Sequence, residues 1–251
     1  MNFLSFFQEG LFKSNHIILI LFCIVFIVVY LILNKKFNFS FKSNLTFIYF
    51  VVLINEIVKI IIGMKPNEQG VMYYDPEFLP FHLCGFQFFL ITALMFFVKK
   101  DETKQKILGF MSPSMCIGAL VALFVPSDGT ALNDIQVYRY FIYHAALIAF
   151  GFYIVLFNHV KLTIKVYLRN LMYIGAFAML CSWLNGVLSI YNVNYLFLSK
   201  PPMEGLPILN TNNGYWVYLI TLISIAFTLL TLFHLPFIIV NCVKNKKAKD
   251  W

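Results

Sequence analysis

Seven apolar stretches dominate the sequence, each long enough to cross roughly 30 Å of hydrocarbon at about 1.5 Å per residue. They run over His16–Leu33, Leu45–Ile62, Leu79–Val98, Ile107–Val125, Tyr138–Phe157, Leu171–Ile190 and Tyr215–Val240. Hydrocarbon offers no partner to an open backbone, so each stretch is expected to be helical. Pro113 and Pro236 fall inside spans and should bend them. Of 251 residues, 61% are hydrophobic and 12% charged, too little charge to coat a water-soluble sphere of this size. The same numbers exclude a disordered chain. The sequence predicts an all-α, polytopic membrane helix bundle forming one domain over residues 1–251.

Basic residues set the orientation. With Arg139 at the lip of span five counted to the loop before it, the eight segments between and beyond the spans hold one, three, one, four, one, three, one and four of them from the N to the C terminus. Fourteen therefore fall on one side and four on the other, with Lys59 inside the second span. By the positive-inside rule the N terminus is outside and the C terminus cytoplasmic, giving seven transmembrane helices in the cell (plasma) membrane. The net charge of +8 is spread between apolar runs, not gathered in an aromatic-lined patch, so no nucleic-acid partner is expected. The first apolar run is too long for a cleavable signal and is expected to anchor the chain uncleaved. Ahead of it, Phe3, Leu4, Phe7 and Leu11 recur at helical spacing, as in a short interface helix or a frayed apolar terminus. The long outer loop Tyr191–Gly214 has the length of a lid over the outer mouth.

Ionisable and amide side chains inside spans are costly and therefore informative. Converted to depth, they collect in the outer half of the bilayer. Span two carries Asn55, Glu56 and Lys59 there, and Glu56 and Lys59 are helical neighbours able to pair. Span three carries His82, Cys84 and Gln87, and span five carries Arg139 and His144. Span six leaves through Asn185, followed by Asn192, Asn194 and Tyr195, and span seven re-enters at Tyr215, Trp216 and Tyr218. A polar cavity open to the outer leaflet explains this layer; satisfied ion pairs and interhelical hydrogen bonds are the alternative. Membrane lipids are the expected partners.

The five cysteines are odd in number and include no CxxC, so neither a disulfide framework, a metal site nor a cofactor is expected. Cys23, Cys116, Cys181 and Cys242 suit packing. Cys84 lies in the polar layer at the start of a helix, where a positive helix end favours the thiolate, although packing is its alternative role. His82 and Cys84 point about 200° apart on a helix, so His144 is the better placed base.

Leu79-Pro80-Phe81-His82-Leu83-Cys84 resembles the LP-x-HLC element of the YwaF-like family of bacterial integral membrane proteins. Phe141-Ile142-Tyr143-His144-Ala145 is similar to that family's F-x-x-HG/A element. Asn192-Val193-Asn194-Tyr195-Leu196-Phe197-Leu198, with Lys200-Pro201, is similar to its N-x-NYMFL-x-KP element. Trp216-x-Tyr218 resembles the aromatic pair opening its last span. Ala145 stands where a glycine is usual, and the Gly205–Gly214 loop departs from the family pattern. Animal relatives are regarded as lipid acyltransferases with a cysteine nucleophile and a histidine. The resemblance thus implies Cys84 as nucleophile and His144 or His82 as base, in a lipid acyltransferase or lipid hydrolase. A lipid- or solute-binding or transport protein using the same cavity is the competing expectation, and an assembly scaffold a third. A seven-helix receptor fits poorly, given short cytoplasmic loops and no outer cysteine pair.

Overall fold

A computed structural model describes residues 10–203, 206 and 208–247 of the chain. Seven helices follow in order: α1 (Ser14–Phe37), α2 (Phe41–Gly63), α3 (Leu83–Thr92), α4 (Asp101–Phe124), α5 (Ile135–Leu156), α6 (Ile164–Val187) and α7 (Tyr215–Lys247). Between α2 and α3 stand two short antiparallel strands, β1 (Met64–Pro66) and β2 (Met72–Tyr74), paired Lys65 to Tyr73. Phe3, Leu4 and Phe7 of the expected interface helix lie outside the described residues, and Leu11 lies in a turn.

Six helices, all but α3, are long and apolar enough to cross a membrane. Their outward faces carry rows of large apolar side chains, such as Leu21, Phe22 and Val25 on α1 and Ile220, Ile223 and Phe227 on α7. Water would not tolerate such faces, whereas lipid solvates them. Helix α5 is buried most deeply and packs against α4, α1 and α2, while α6 and α7 pack on α4 and on each other. Small residues on α5, Ala145 and Ala149, are wholly buried where neighbouring helices approach.

The third apolar stretch departs from expectation. It is helical from Leu83, not Leu79, and after Thr92 it continues only as a π-helical turn, Ala93–Phe97. Pro80 explains the late start, because its ring biases the preceding residue away from helix. Leu79 accordingly has φ −60° and ψ 146°, and His82 is extended at φ −75° and ψ 152°.

Contacts define two ends of the bundle. At the basic end, Lys104 Nζ sits 4.5 Å over the Phe41 ring and Gln105 Nε2 donates to the His159 carbonyl at 2.9 Å. Asn241 Nδ2 donates to Leu162 O at the same end. At the hairpin end, Gly10 N donates to Thr130 Oγ1, Arg139 reaches Asn55, and Tyr195 Oη donates to Pro76 O. Leu83–Phe97 leads from the hairpin end, where α2 stops, to the basic end, where α4 starts.

Both prolines stay inside continuous helices. Pro113 has no N–H for the carbonyl of Gly109, four residues earlier, and Asn170 Nδ2 from α6 supplies the missing donor at 2.7 Å. Asn170 thus stitches α6 to the weak point of α4.

Candidate functional site

The polar layer gathers at the hairpin end around the first turn of α3. His82 is the N-cap residue but its side chain caps nothing, and Cys84 is the second helical residue. Among the described residues the backbone N–H groups of Leu83, Cys84 and Gly85 make no hydrogen bond, the first helical pairing being Phe86 N to His82 O. Three donors at the positive end of a helix thus lie beside the thiol. The thiol is half-buried, and its room comes from Gly118 on α4, where a Cβ would stand 3.2 Å from Cys84 Sγ.

Helix α5 brings in the histidine. Tyr143 Oη donates to the carbonyl of Cys84 at 2.7 Å, tying α5 to that same turn. The next residue, His144, is buried with Nδ1 2.8 Å from Tyr140 O. A carbonyl only accepts, so Nδ1 carries the proton and Nε2 keeps its lone pair. Among the described residues Nε2 has no hydrogen-bond partner, and no hydrogen bond joins Cys84 Sγ to an imidazole. His144 lies within electrostatic range of His82, Lys59 and Arg139, and Lys59 acts likewise on Cys84.

A charged network closes one side. Lys59 Nζ is 3.2 Å from both oxygens of Glu56, and Asn55 Nδ2 also points at Glu56. Arg139 donates to Asn55 Oδ1 at 2.6 Å, to Gln136 Oε1 at 2.9 Å and to Asp128 Oδ2 at 2.7 Å. Burial holds the Asp128 carboxyl above its ordinary value, with Arg139 beside it offsetting part of the effect. Gln87 is buried and donates to Ser114 Oγ at 3.0 Å, leaving its own oxygen unpartnered.

The long loop folds back over this end. Tyr195 is wholly buried, with its ring 5.5 Å from Phe81 and 5.7 Å from His82. Asn185 holds it by both backbone groups, donating to Tyr195 O at 3.1 Å and accepting from Tyr195 N at 2.8 Å. Asn194 ties the loop to Ser199 and Lys200, and Asn192 Oδ1 accepts from Lys200 Nζ. These amides shape the loop covering the site, and their hydrogen bonds are spent there. Trp216 is 72% exposed on the flank of α7 and points away, whereas Tyr218 is buried and donates to Lys200 O.

An apolar groove of about 400 Å³ runs between α2, the hairpin and the start of α3. Ile57, Ile60, Tyr74, Pro80 and Phe88 line it, with Glu56 on its wall. Phe88 is one turn beyond Cys84 on nearly the same face of α3. The functional partners that sequence spacing leaves unmarked are Asp128, Tyr143 and Gly118. Tyr143 stands inside the F-x-x-H element, and Gly118 in a small-x-x-x-small pair with Ser114.

Fold and site together define a polytopic membrane protein with a sulfur, imidazole and cation layer roofed by its own loop at one end. Within that class the chain belongs to the TMEM164 family, whose model matches residues 11–234. No curated protein and no solved structure matches it.

Proposed function

We propose that this chain is a seven-crossing, N-out, YwaF-like enzyme of the plasma membrane that transfers acyl groups between lipids. The observation that carries the reading is Cys84, half-buried beside three N–H groups unpaired among the described residues and tied to the helix whose His144 Nε2 has no hydrogen-bond partner among them. The thiol proton passes to His144 Nε2, directly or through one water, and sulfur bonds to the carbonyl carbon of a lipid ester. Charge growing on the carbonyl oxygen is met by the N–H groups opening α3. Collapse breaks the bond to the glycerol oxygen, which takes the proton back from the imidazolium. In the second half, His144 Nε2 takes the proton of a lysolipid hydroxyl as its oxygen bonds to the thioester carbonyl. The C–S bond breaks and the proton returns to the Cys84 sulfur; water in place of the hydroxyl makes the enzyme a hydrolase. The groove beside Phe88 suits the acyl chain, and Lys59 suits a head-group phosphate.

The test uses purified full-length protein in nanodiscs with isotope-labelled phosphatidylcholine and an unlabelled lysophospholipid, followed by mass spectrometry. Transfer of label is expected for the natural chain and for Cys116→Ala. Cys84→Ala should abolish it, and His144→Gln should lower it by about 100-fold or more. Full transfer by Cys84→Ala would overturn the mechanism. A second reading, lipid or solute binding without chemistry, is favoured by the unjoined thiol and imidazole. It is selected if the natural chain retains phospholipid in native mass spectra yet transfers no label.

A further inference from the structure

The basic end holds a second cavity, far from the thiol. It measures about 350 Å³ and opens between the α5–α6 loop and the flanks of α4 and α6. Gln105, Asn158, His159, Lys161 and Arg169 supply its polar lining, and among the described residues no carboxylate lines it. Gln105 Nε2 braces the wall by donating to the His159 carbonyl at 2.9 Å.

Arg169 is the unusual member. Its Nε is buried with no hydrogen-bond partner, and among the described residues the guanidinium makes no ion pair. A buried, unpaired guanidinium N–H is expensive, so a stable chain keeps one where an anion arrives to pair it. Nor is the side chain left to wander: it lies against α4 at Gly109, where a Cβ would stand 3.1 Å from Arg169 Nη2. Of the described acids at this end, Glu102 pairs with Lys106 at 2.5 Å, and neither Asp101 nor Glu102 reaches the cavity. Arg169 is the sixth residue of α6, about 8 Å along the helix from Ile164.

We infer that this cavity binds a phosphate-bearing anion. The planar fork of Arg169 takes two phosphate oxygens, Lys161 adds a second positive charge, and the Gln105 and Asn158 amides are within the same lining. A volume near 350 Å³ exceeds what a lone carboxylate fills, and two cations without an acid suit a phosphate ester. The source is either an anionic phospholipid of the adjoining leaflet or a soluble phosphate compound.

The chain has only two arginines, Arg139 and Arg169, which makes the site directly readable. Full-length protein in phosphatidylcholine nanodiscs is treated with phenylglyoxal, and adducts are located by mass spectrometry. One arm adds inorganic phosphate to the buffer; the other replaces part of the phosphatidylcholine with phosphatidylglycerol. Modification of Arg169 should slow by about tenfold in at least one arm, as expected for one charge-assisted pairing, while Arg139 is unaffected. Protection by phosphate alone identifies a soluble ligand, by phosphatidylglycerol alone a lipid, and by both the phosphate group itself. Lys161→Gln and Gly109→Ala should each weaken protection severalfold, whereas Lys100→Gln, outside the cavity, should not. Unprotected Arg169 in both arms, or equal losses from Lys100→Gln and Lys161→Gln, would overturn the assignment, as would an Arg169 that phenylglyoxal never reaches.

Discussion

Arg139 sends its hydrogen bonds to three separate segments: Asn55 on α2, Asp128 in the α4–α5 loop and Gln136 one turn back on α5. Asn55 is buried and the Asp128 side chain is 27% exposed, so removing the guanidinium strands the amide fully and the carboxylate in part. Arg139→Ala should therefore cost about 2–4 kcal/mol, the penalty for stranding buried polar groups. Thermal denaturation in nanodiscs measures it. Lys106→Ala, which breaks an exposed pair with Glu102, should leave the melting temperature essentially unchanged. Equal effects would mean that Arg139 is an ordinary surface cation. The residues of this network could be picked from the sequence because a charge in a span is rare, yet their partners could not. Asp128 lies outside the spans, and nothing in its neighbours announces an arginine eleven positions on. The asparagines were equally ambiguous. An amide near a span end serves a ligand or a loop equally well, and only the backbone of Tyr195 shows that Asn185 serves the loop.

Elements beside the site owe their placement to a few local devices. The β1–β2 hairpin is clamped by Lys65 Nζ to Asp75 Oδ2 at 2.7 Å, and Asp75 also caps the short helical turn at Pro76 by accepting from Glu77 N. Burial acts to raise the Asp75 carboxyl, but the Lys65 hydrogen bond, the Glu77 N–H and the lysine charge outweigh it and hold it below 3.8. The hydrogen bond to Asp75 holds the Lys65 ammonium above 10.5. A depressed carboxyl stabilises the fold above its ordinary value and loses that contribution as pH falls through the lowered one. A raised ammonium stabilises below its ordinary value and loses that contribution as pH rises through the higher one. The clamp is thus at full strength between about pH 4 and pH 10 and fades beyond either limit. Hydrogen exchange of residues 64–75 should be faster in Asp75→Asn than in the natural chain at pH 7, and the difference should shrink as acidification protonates Asp75 below the ordinary carboxyl value. A difference that is absent at pH 7, or that does not change on acidification, would place the protection elsewhere. The late start of α3 belongs to the same scale. Hydropathy extends the apolar run back to Leu79, but backbone geometry at Leu79-Pro80 delays the helix to Leu83 and so puts Cys84 in the first turn. Apolarity marks where a chain is dry, not where a helix can begin.

Across the whole molecule, charge and connectivity agree on one arrangement. Lysine-rich segments meet at one end, where Lys104 touches Phe41 and Gln105 touches His159. The hairpin, the α4–α5 loop and the roofing loop meet at the other. The alternating basic counts predict such a grouping of the lysine-rich segments, but the structure has six helices long and apolar enough to cross, one fewer than the seven those counts imply. Burial rank was less legible: α5 is the central helix, yet its hydropathy falls between those of α6 and α7, which are far less buried, so apolarity alone does not separate a membrane core from a lipid-facing helix. Trp216 shows the same limit, as α7 is apolar on every face and its sequence does not say which face looks outward. The arrangement hinges on Leu83–Phe97, too short by length alone to count as a span, carrying the chain from one end to the other. A Cys84→Ala background with Glu68→Cys in the hairpin turn, or with Thr103→Cys at the start of α4, separates the outcomes. An impermeant maleimide should label position 68 in intact cells and position 103 only after permeabilisation. If α3 merely dipped into the bilayer and returned, both positions would face the same side and label together.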